Sequence, residues 1–195
     1  MTDAEFFDTN GCVRVNNFID PATISIVSRY LENKIVRGEW TESASKQDPT
    51  SRLAYYADPL IEVLLQECKT AVEEATGKTL IPTYSYARVY QPGEQLKPHV
   101  DRPACEISVT INVATKGSFS PIYTQYKNNA PEEHVLNPGD AVIYKGCEAL
   151  HWRHPLGEDQ LNVQFMLHYV DKDGPNTDHA KDKRARYGMS TRARS

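Results

Sequence analysis

Apolar residues follow two different periods along this chain, and the change comes near residue 79. Before it, Ile24, Val27, Leu31 and Ile35 recur at helical spacing. Asp20-Pro21 ahead of them predicts an N-cap followed by proline at the first helical position, and Gly38 predicts the stop. Asp58-Pro59 repeats the start signal. Leu60, Leu64, Cys68, Ala71 and Ala75 carry a second helix to Gly77. The polar stretch between them, 41–52, reads as a loop. After Thr79 the pattern becomes short β-rich runs, at about 82–90, 105–114, 119–127, 133–137, 140–145, 148–153 and 160–170. They are separated by turn residues such as Gln91-Pro92-Gly93, Asn128-Asn129 and Asn137-Pro138-Gly139-Asp140. Short strands at this spacing predict a barrel or a double-sheet jelly roll, with the helices packed on the outer face of one sheet. The class is α+β, mainly β.

Length fits this plan as a single domain over 1–195: a helical part at about 20–77, a β core at about 79–171 and a basic tail at about 172–195. Apolar residues at 39% and charged residues at 25% describe a soluble globular chain. No apolar run approaches the ~18 residues of a membrane span. The acidic N-terminus lacks the basic-then-apolar layout of a secretory signal. Cys12, Cys68, Cys105 and Cys147 form no C-x-x-C pair, so the expectation is reduced thiols in a cytoplasm. The net charge of -4 conceals an uneven distribution, because Lys181–Ser195 holds six basic residues and one acidic one. That end could touch an anionic partner; the simpler expectation is a solvated, mobile tail, with neither nucleic acid nor membrane as a partner.

The candidate chemistry lies in Tyr90-Gln-Pro-Gly-Glu-Gln-Leu-Lys-Pro-His99-Val-Asp101. On an extended segment residues i and i+2 point the same way, so His99 and Asp101 can reach one metal. A second imidazole must come from elsewhere, and Leu150-His151-Trp152-Arg153-His154-Pro155 offers two, His151 and His154, which alternation places on opposite faces. Two His and one carboxylate on one face of an octahedron leave three positions open, which suits Fe(II). His134, His168 and His179 show no partner at ligand spacing, and His168 is expected to be packed or hydrogen-bonded in the last strand. Ser108, Thr110 and Asn112 alternate with Ile107, Val109, Ile111 and Val113. One face of this strand is core; the other either lines a polar cavity or meets water.

Taken together, these residues resemble the Fe(II)/2-oxoglutarate dioxygenases, and in particular the prolyl 4-hydroxylase-like branch, over about 82–171. The resemblance rests on Tyr90, Gly93, His99 and Asp101 in spacing, on Pro138-Gly139-Asp140, on His151 with Pro155 four residues on, and on His168-Tyr169-Val170-Asp171. It implies a double-stranded β-helix of the jelly-roll or cupin-like kind, with His99, Asp101 and His151 as both metal ligands and catalytic residues. The spacing to Pro155 selects His151 over His154. The implied activity is hydroxylation of a C–H bond with Fe(II), 2-oxoglutarate and O2, releasing succinate and CO2. The implied partner is a small-molecule or peptide substrate, such as a prolyl residue or a free amino acid. Tyr90 matches a tyrosine that donates to the cosubstrate. The family's cationic anchor for the distal carboxylate falls here on Asn162, which is neutral. Arg153, two past His151, is the best replacement, with Asn162 as a secondary donor, and Arg88 and Arg102 are further candidates. The missing anchor leaves one alternative open, a cupin-like metal-binding protein without 2-oxoglutarate-dependent activity.

Overall fold

The computed structural model describes residues 1–40 and 53–189, so the loop expected at 41–52 and the last six residues of the tail lie outside the described residues. The elements run α1 (Asp3–Asn10), β1 (Cys12–Val15), α2 (Pro21–Val36), β2 (Leu53–Tyr56), α3 (Pro59–Glu67), α4 (Lys69–Thr76), β3 (Leu80–Tyr90), β4 (Leu96–His99), β5 (Ile107–Lys116), β6 (Ile122–Gln125), β7 (Glu132–His134), β8 (Ala141–Lys145), β9 (Leu150–Arg153) and β10 (Leu161–Asp171).

Both expected helix starts are built as the sequence predicts. Asp20 accepts from the backbone N–H of Ala22 and Thr23, at 3.0 and 3.1 Å. Asp58 accepts from Leu60 and Ile61, at 3.0 and 3.3 Å. These bonds satisfy donors that the first turn cannot pair internally. The second helix is interrupted at Cys68, although the bonds from Cys68 N to Leu64 O (2.9 Å) and from Val72 N to Cys68 O (3.1 Å) continue its axis.

The strands form a six-stranded antiparallel sheet, ordered β1-β8-β5-β10-β3-β2, and a four-stranded sheet, ordered β4-β9-β6-β7. This is the double-sheet jelly roll that strand spacing predicts. Its largest apolar core lies between the helices and the six-stranded sheet. There Phe7, Val27, Leu31, Ile61, Leu65 and Val72 pack with Ile107, Val109, Ile111, Phe165, Leu167 and Tyr169. The apolar face of β5 and β10 therefore points outward to the helices. By alternation their polar face points inward, between the sheets. A smaller cluster of Cys12, Ile122, Tyr126, Leu136, Val142, Tyr144 and Ala149 fills one part of that interior, and a cavity occupies another.

The Pro138-Gly139-Asp140 turn fixes the entry to β8. Gly139 has φ +90°, and a Cβ there would stand 2.5 Å from the Ile19 carbonyl oxygen, which leaves glycine as the residue that fits. The Asp140 carboxylate accepts from the backbone N–H of Asn17 (2.9 Å) and Asn137 (3.0 Å) and from Arg14 (3.0 Å), tying β1 to the turn.

The basic tail departs from expectation over 172–189. It folds back along β3 instead of extending into solvent. Arg184 is buried and pairs with Glu62 at 2.5 Å, also donating to the Thr83 carbonyl at 2.9 Å. Tyr187 donates to the Pro82 carbonyl at 3.2 Å. A buried carboxylate on α3 needs a cation of its own, and the chain end supplies it. Four short elements, α1, β1, β2 and β4, are absent from the periodic reading. Among the described residues no helix is long and apolar enough to cross a membrane.

Candidate metal centre and cavity

His99 and His151 face each other across the β4–β9 ladder, where they are register partners, with ring centroids 4.2 Å apart. Each ring is fixed by its own strand. His99 Nδ1 lies 2.8 Å from the Lys97 carbonyl oxygen, and His151 Nδ1 lies 3.0 Å from that of Ala149. A carbonyl only accepts, so both Nδ1 atoms carry a hydrogen, and the Nε2 atoms are the ring positions left to face a metal. Those Nε2 atoms converge on one oxygen, Asp101 Oδ1, at 3.6 and 3.5 Å. The other oxygen, Oδ2, accepts the Ser108 hydroxyl at 2.7 Å. Ser108 Oγ also lies 3.0 Å from His168 Nδ1. The Asp101 backbone N–H donates to the Gly146 carbonyl at 2.8 Å.

This arrangement perturbs the site's titration. Burial alone would raise the Asp101 carboxyl, but hydrogen bonds and charge from His151 and His99 hold it far below the carboxylate range. Burial lowers the His99 imidazole, yet the Asp101 carboxylate and the Lys97 carbonyl outweigh it and leave it raised. Burial pushes His168 down to about 4, so it is neutral at pH 7.

The three groups open on a cavity of about 290 Å³. Tyr84, Tyr86, Arg88 and Tyr90 line it from alternate positions of β3. Gln164, Met166 and His168 do so from β10. Ser108, Thr110 and Asn112 are all buried. The polar row of β5 therefore faces the interior, not water, with Thr110 on the cavity wall.

Of the residues expected to hold a cosubstrate, Tyr90 lines the cavity, and Arg153 lies against Tyr90 and Gln164 just outside the lining. Tyr90 is 1% exposed, and the guanidinium carbons of Arg88 and Arg153 lie 3.7 and 5.1 Å from its ring centroid. Arg153 is buried on the same face of β9 as His151. Its hydrogen-bond partners are neutral: the Ser120 carbonyl and, at 2.7 Å, Gln164 Oε1. Its Nε has no hydrogen-bond partner among the described residues. Burial weakens its hold on the proton, which Tyr90 partly offsets. Arg88 lies 3.6 Å from Glu94. Asn162 does not join them. It donates to Asn112 Oδ1 (2.9 Å) and Thr115 Oγ1 (3.4 Å). Arg102, the third candidate cation, is held in a bidentate pair with Asp182 at 2.7 and 2.9 Å, and Asp182 also accepts from Tyr56 at 2.5 Å. Asp182 reaches this position through three consecutive left-handed residues, Lys181 to Lys183, with φ of 53, 51 and 60°. His154 is exposed, its ring 5.0 Å from that of Tyr123, outside the cluster.

The periodic reading misses two contributors. Gly146 backs onto Asp101. A Cβ there would stand 2.1 Å from the Cys105 carbonyl oxygen and 2.7 Å from Asp101 Oδ2, so the close approach requires glycine. Nothing in Lys145-Gly146-Cys147 distinguishes it from an ordinary turn glycine. The other is His134. It has partners after all, in Cys12 and Glu132.

No family model matches the sequence, and no curated protein matches it. The fold, by contrast, is shared with solved prolyl hydroxylases and with a non-heme alpha ketoglutarate dependent epimerase. A prolyl-4-hydroxylase from Pseudomonas putida superposes at a TM-score of 0.66 and 12% identity, over 85% of this chain and 96% of that one. A Trichoplax adhaerens prolyl hydroxylase, solved with a fragment of the oxygen degradation domain of hypoxia inducible factor, does so at 0.69 and 12%, over 87% and 88%. The epimerase SnoN from nogalamycin biosynthesis, solved with Fe3+, alpha ketoglutarate and nogalamycin RO, gives 0.68 and 12%, over 86% and 82%.

Proposed function

We propose that this chain is an Fe(II)- and 2-oxoglutarate-dependent oxygenase, with His99, Asp101 and His151 as the iron ligands. One observation carries the reading: two imidazoles, each fixed through Nδ1, aim their Nε2 atoms at a single carboxylate oxygen on the wall of a cavity. That is a three-donor facial set with room on its open side. The iron, when bound, supplies the activation of O2 coupled to decarboxylation of 2-oxoglutarate. The protein's own groups bind, orient and exclude water.

Arg153 fits the distal carboxylate. A guanidinium stays protonated at any physiological pH, and this one is buried among neutral partners with an unused donor. An entering carboxylate would pair a charge that is otherwise costly to bury. Tyr90 and Gln164 lie beside it. Tyr56, Tyr84, Tyr86 and Met166 are among the residues lining the rest of the cavity and present aromatic and thioether surface to a substrate carbon. That surface suits an aliphatic group, such as a prolyl ring in a peptide or the side chain of a free amino acid.

The test is succinate release from 2-oxoglutarate, dependent on Fe(II) and O2, screened over proline peptides and free amino acids. Succinate should form with iron present, stop when it is chelated, and rise with the right substrate. Tight metal binding without any 2-oxoglutarate consumption or 2-oxoglutarate binding would contradict the reading and favour the cupin-like alternative.

Ser108 is expected to matter through Asp101. Its hydroxyl holds Oδ2 and so leaves Oδ1 to face the imidazoles. Ser108→Ala should weaken Mn(II) binding by roughly tenfold or more, the usual effect of losing a partner that orients a ligand. The fold should survive, since one hydroxyl is removed without adding bulk. Unchanged affinity in a Mn(II) titration would show that Asp101 is oriented by its backbone alone.

A further inference from the structure

On the opposite flank of the sandwich, β1 is an edge strand of the six-stranded sheet and β7 an edge strand of the four-stranded sheet. Three side chains with metal-binding atoms meet there. Cys12 comes from β1, and Glu132 and His134 come from β7, where their i, i+2 spacing puts them on one side. Their ligand atoms all lie within 4.8 Å of one another. Cys12 and His134 are 2% and 5% exposed, and Glu132 is half-buried at the rim. Cys12 belongs to an apolar cluster with Ile122, Leu136 and Val142, while Thr124 is a polar neighbour and Arg14 is close enough to act on His134.

We propose that Cys12, Glu132 and His134 form a second metal site, for a thiophilic divalent cation of the zinc type, that clasps the two sheet edges together. The donor set is one thiolate, one imidazole and one carboxylate, a combination that selects zinc-like ions over magnesium or calcium. The geometry is close to assembled. Cys12 Sγ and Glu132 Oε2 are 3.6 Å apart, the separation of about 3.5 Å expected for S and O ligands on one tetrahedral zinc. Thr124 Oγ1 stands between the other donors, 2.8 Å from His134 Nε2 and 3.4 Å from Cys12 Sγ. In the metal-free chain it links them by hydrogen bonds. With metal bound, it or a water takes the fourth position. Burial pushes His134 down to about 4, aided by Arg14, so the imidazole is neutral with a lone pair to give. Burial pushes the Cys12 thiol up to about 11, and the cation must therefore displace its proton, which leaves to solvent past Glu132 at the rim. No electron changes hands. The role we assign is structural, because the ligands come from edge strands of two different sheets. The site is independent of the oxygenase reading and stands or falls separately.

The experiment uses the full chain carrying His99→Ala and His151→Ala, which removes the His99–Asp101–His151 cluster; the Cys12→Ser control separates the site from Asp101, Cys105 and His168, which also gather among the described residues. Cobalt(II) is the probe, because a thiolate ligand gives it a charge-transfer absorption in the near ultraviolet. One equivalent should produce that band together with tetrahedral visible bands. Cys12→Ser should abolish the thiolate band, and His134→Ala should weaken binding strongly. Zinc(II) should raise the thermal midpoint of the double variant and leave that of the Cys12→Ser triple variant unmoved. Circular dichroism checks that Cys12→Ser is folded. Should it not be, the half-exposed Glu132→Gln replaces it, with weakened cobalt binding and a smaller zinc shift expected. Three results would overturn the site: no thiolate band in the double variant, a band that survives Cys12→Ser and so belongs to another cysteine, or no zinc stabilisation.

Discussion

His151→Ala should abolish tight binding of Mn(II) or Fe(II), while His154→Ala leaves it close to the wild type. The two histidines are three residues apart, yet the structure separates them completely. His151 is buried, with Nδ1 held by the Ala149 carbonyl and Nε2 directed to Asp101. His154 is exposed, outside the cavity, beside Tyr123. Removing His151 leaves a carboxylate and one imidazole, too few donors for a facial set. A calorimetric Mn(II) titration of both variants decides the matter. Retained binding in His151→Ala, or its loss in His154→Ala, would remove the proposed distal ligand.

Arg153→Met should raise the 2-oxoglutarate requirement by about 1.5–3 kcal/mol, the range for a lost hydrogen bond to a charged group. At about 1.4 kcal/mol per tenfold, that is between roughly tenfold and a hundredfold. Methionine keeps most of the buried bulk, so packing around Tyr90 should survive, and Mn(II) binding should not change. Two strand residues past His151, the Arg153 backbone lies on the order of 6–7 Å along the strand from that of the metal ligand, on the same face. The comparison variant is Arg88→Met. Arg88 also lies against Tyr90 and lines the cavity, but Glu94 stands 3.6 Å from it, so its charge already has a counterpart. If Arg88→Met shows the large shift in 2-oxoglutarate dependence and Arg153→Met does not, the anchor belongs to β3. If neither variant shifts it, the cosubstrate assignment fails.

Both predictions begin in features legible in the sequence. The i, i+2 relation of His99 and Asp101 follows from strand geometry, as does the shared face of His151 and Arg153. Alternation also placed Tyr84, Tyr86, Arg88 and Tyr90 together, and the cavity has them on one wall. Asn162 shows the limit of counting. It occupies the register position expected of an anchor, opposite Tyr90, but its amide is drawn to Asn112 and Thr115. Which way a side chain turns depends on the partners that neighbouring strands offer, and those are not encoded in spacing along one strand.

Local periodicity and turn chemistry by themselves determined the two capped helices and the core strands, because each rests on interactions within a few residues. Tertiary structure alone decided the rest. The short edge strands β1 and β2 exist because β8 and β3 offer unpaired backbone groups to them. The basic tail lies along β3 because Glu62 is buried on α3 and needs a cation. Cys12 meets Glu132 and His134, some 120 residues away, because the edges of two sheets come together when the sandwich closes. In each case the partner is distant in sequence, and it is the closing of the two sheets that makes the contact.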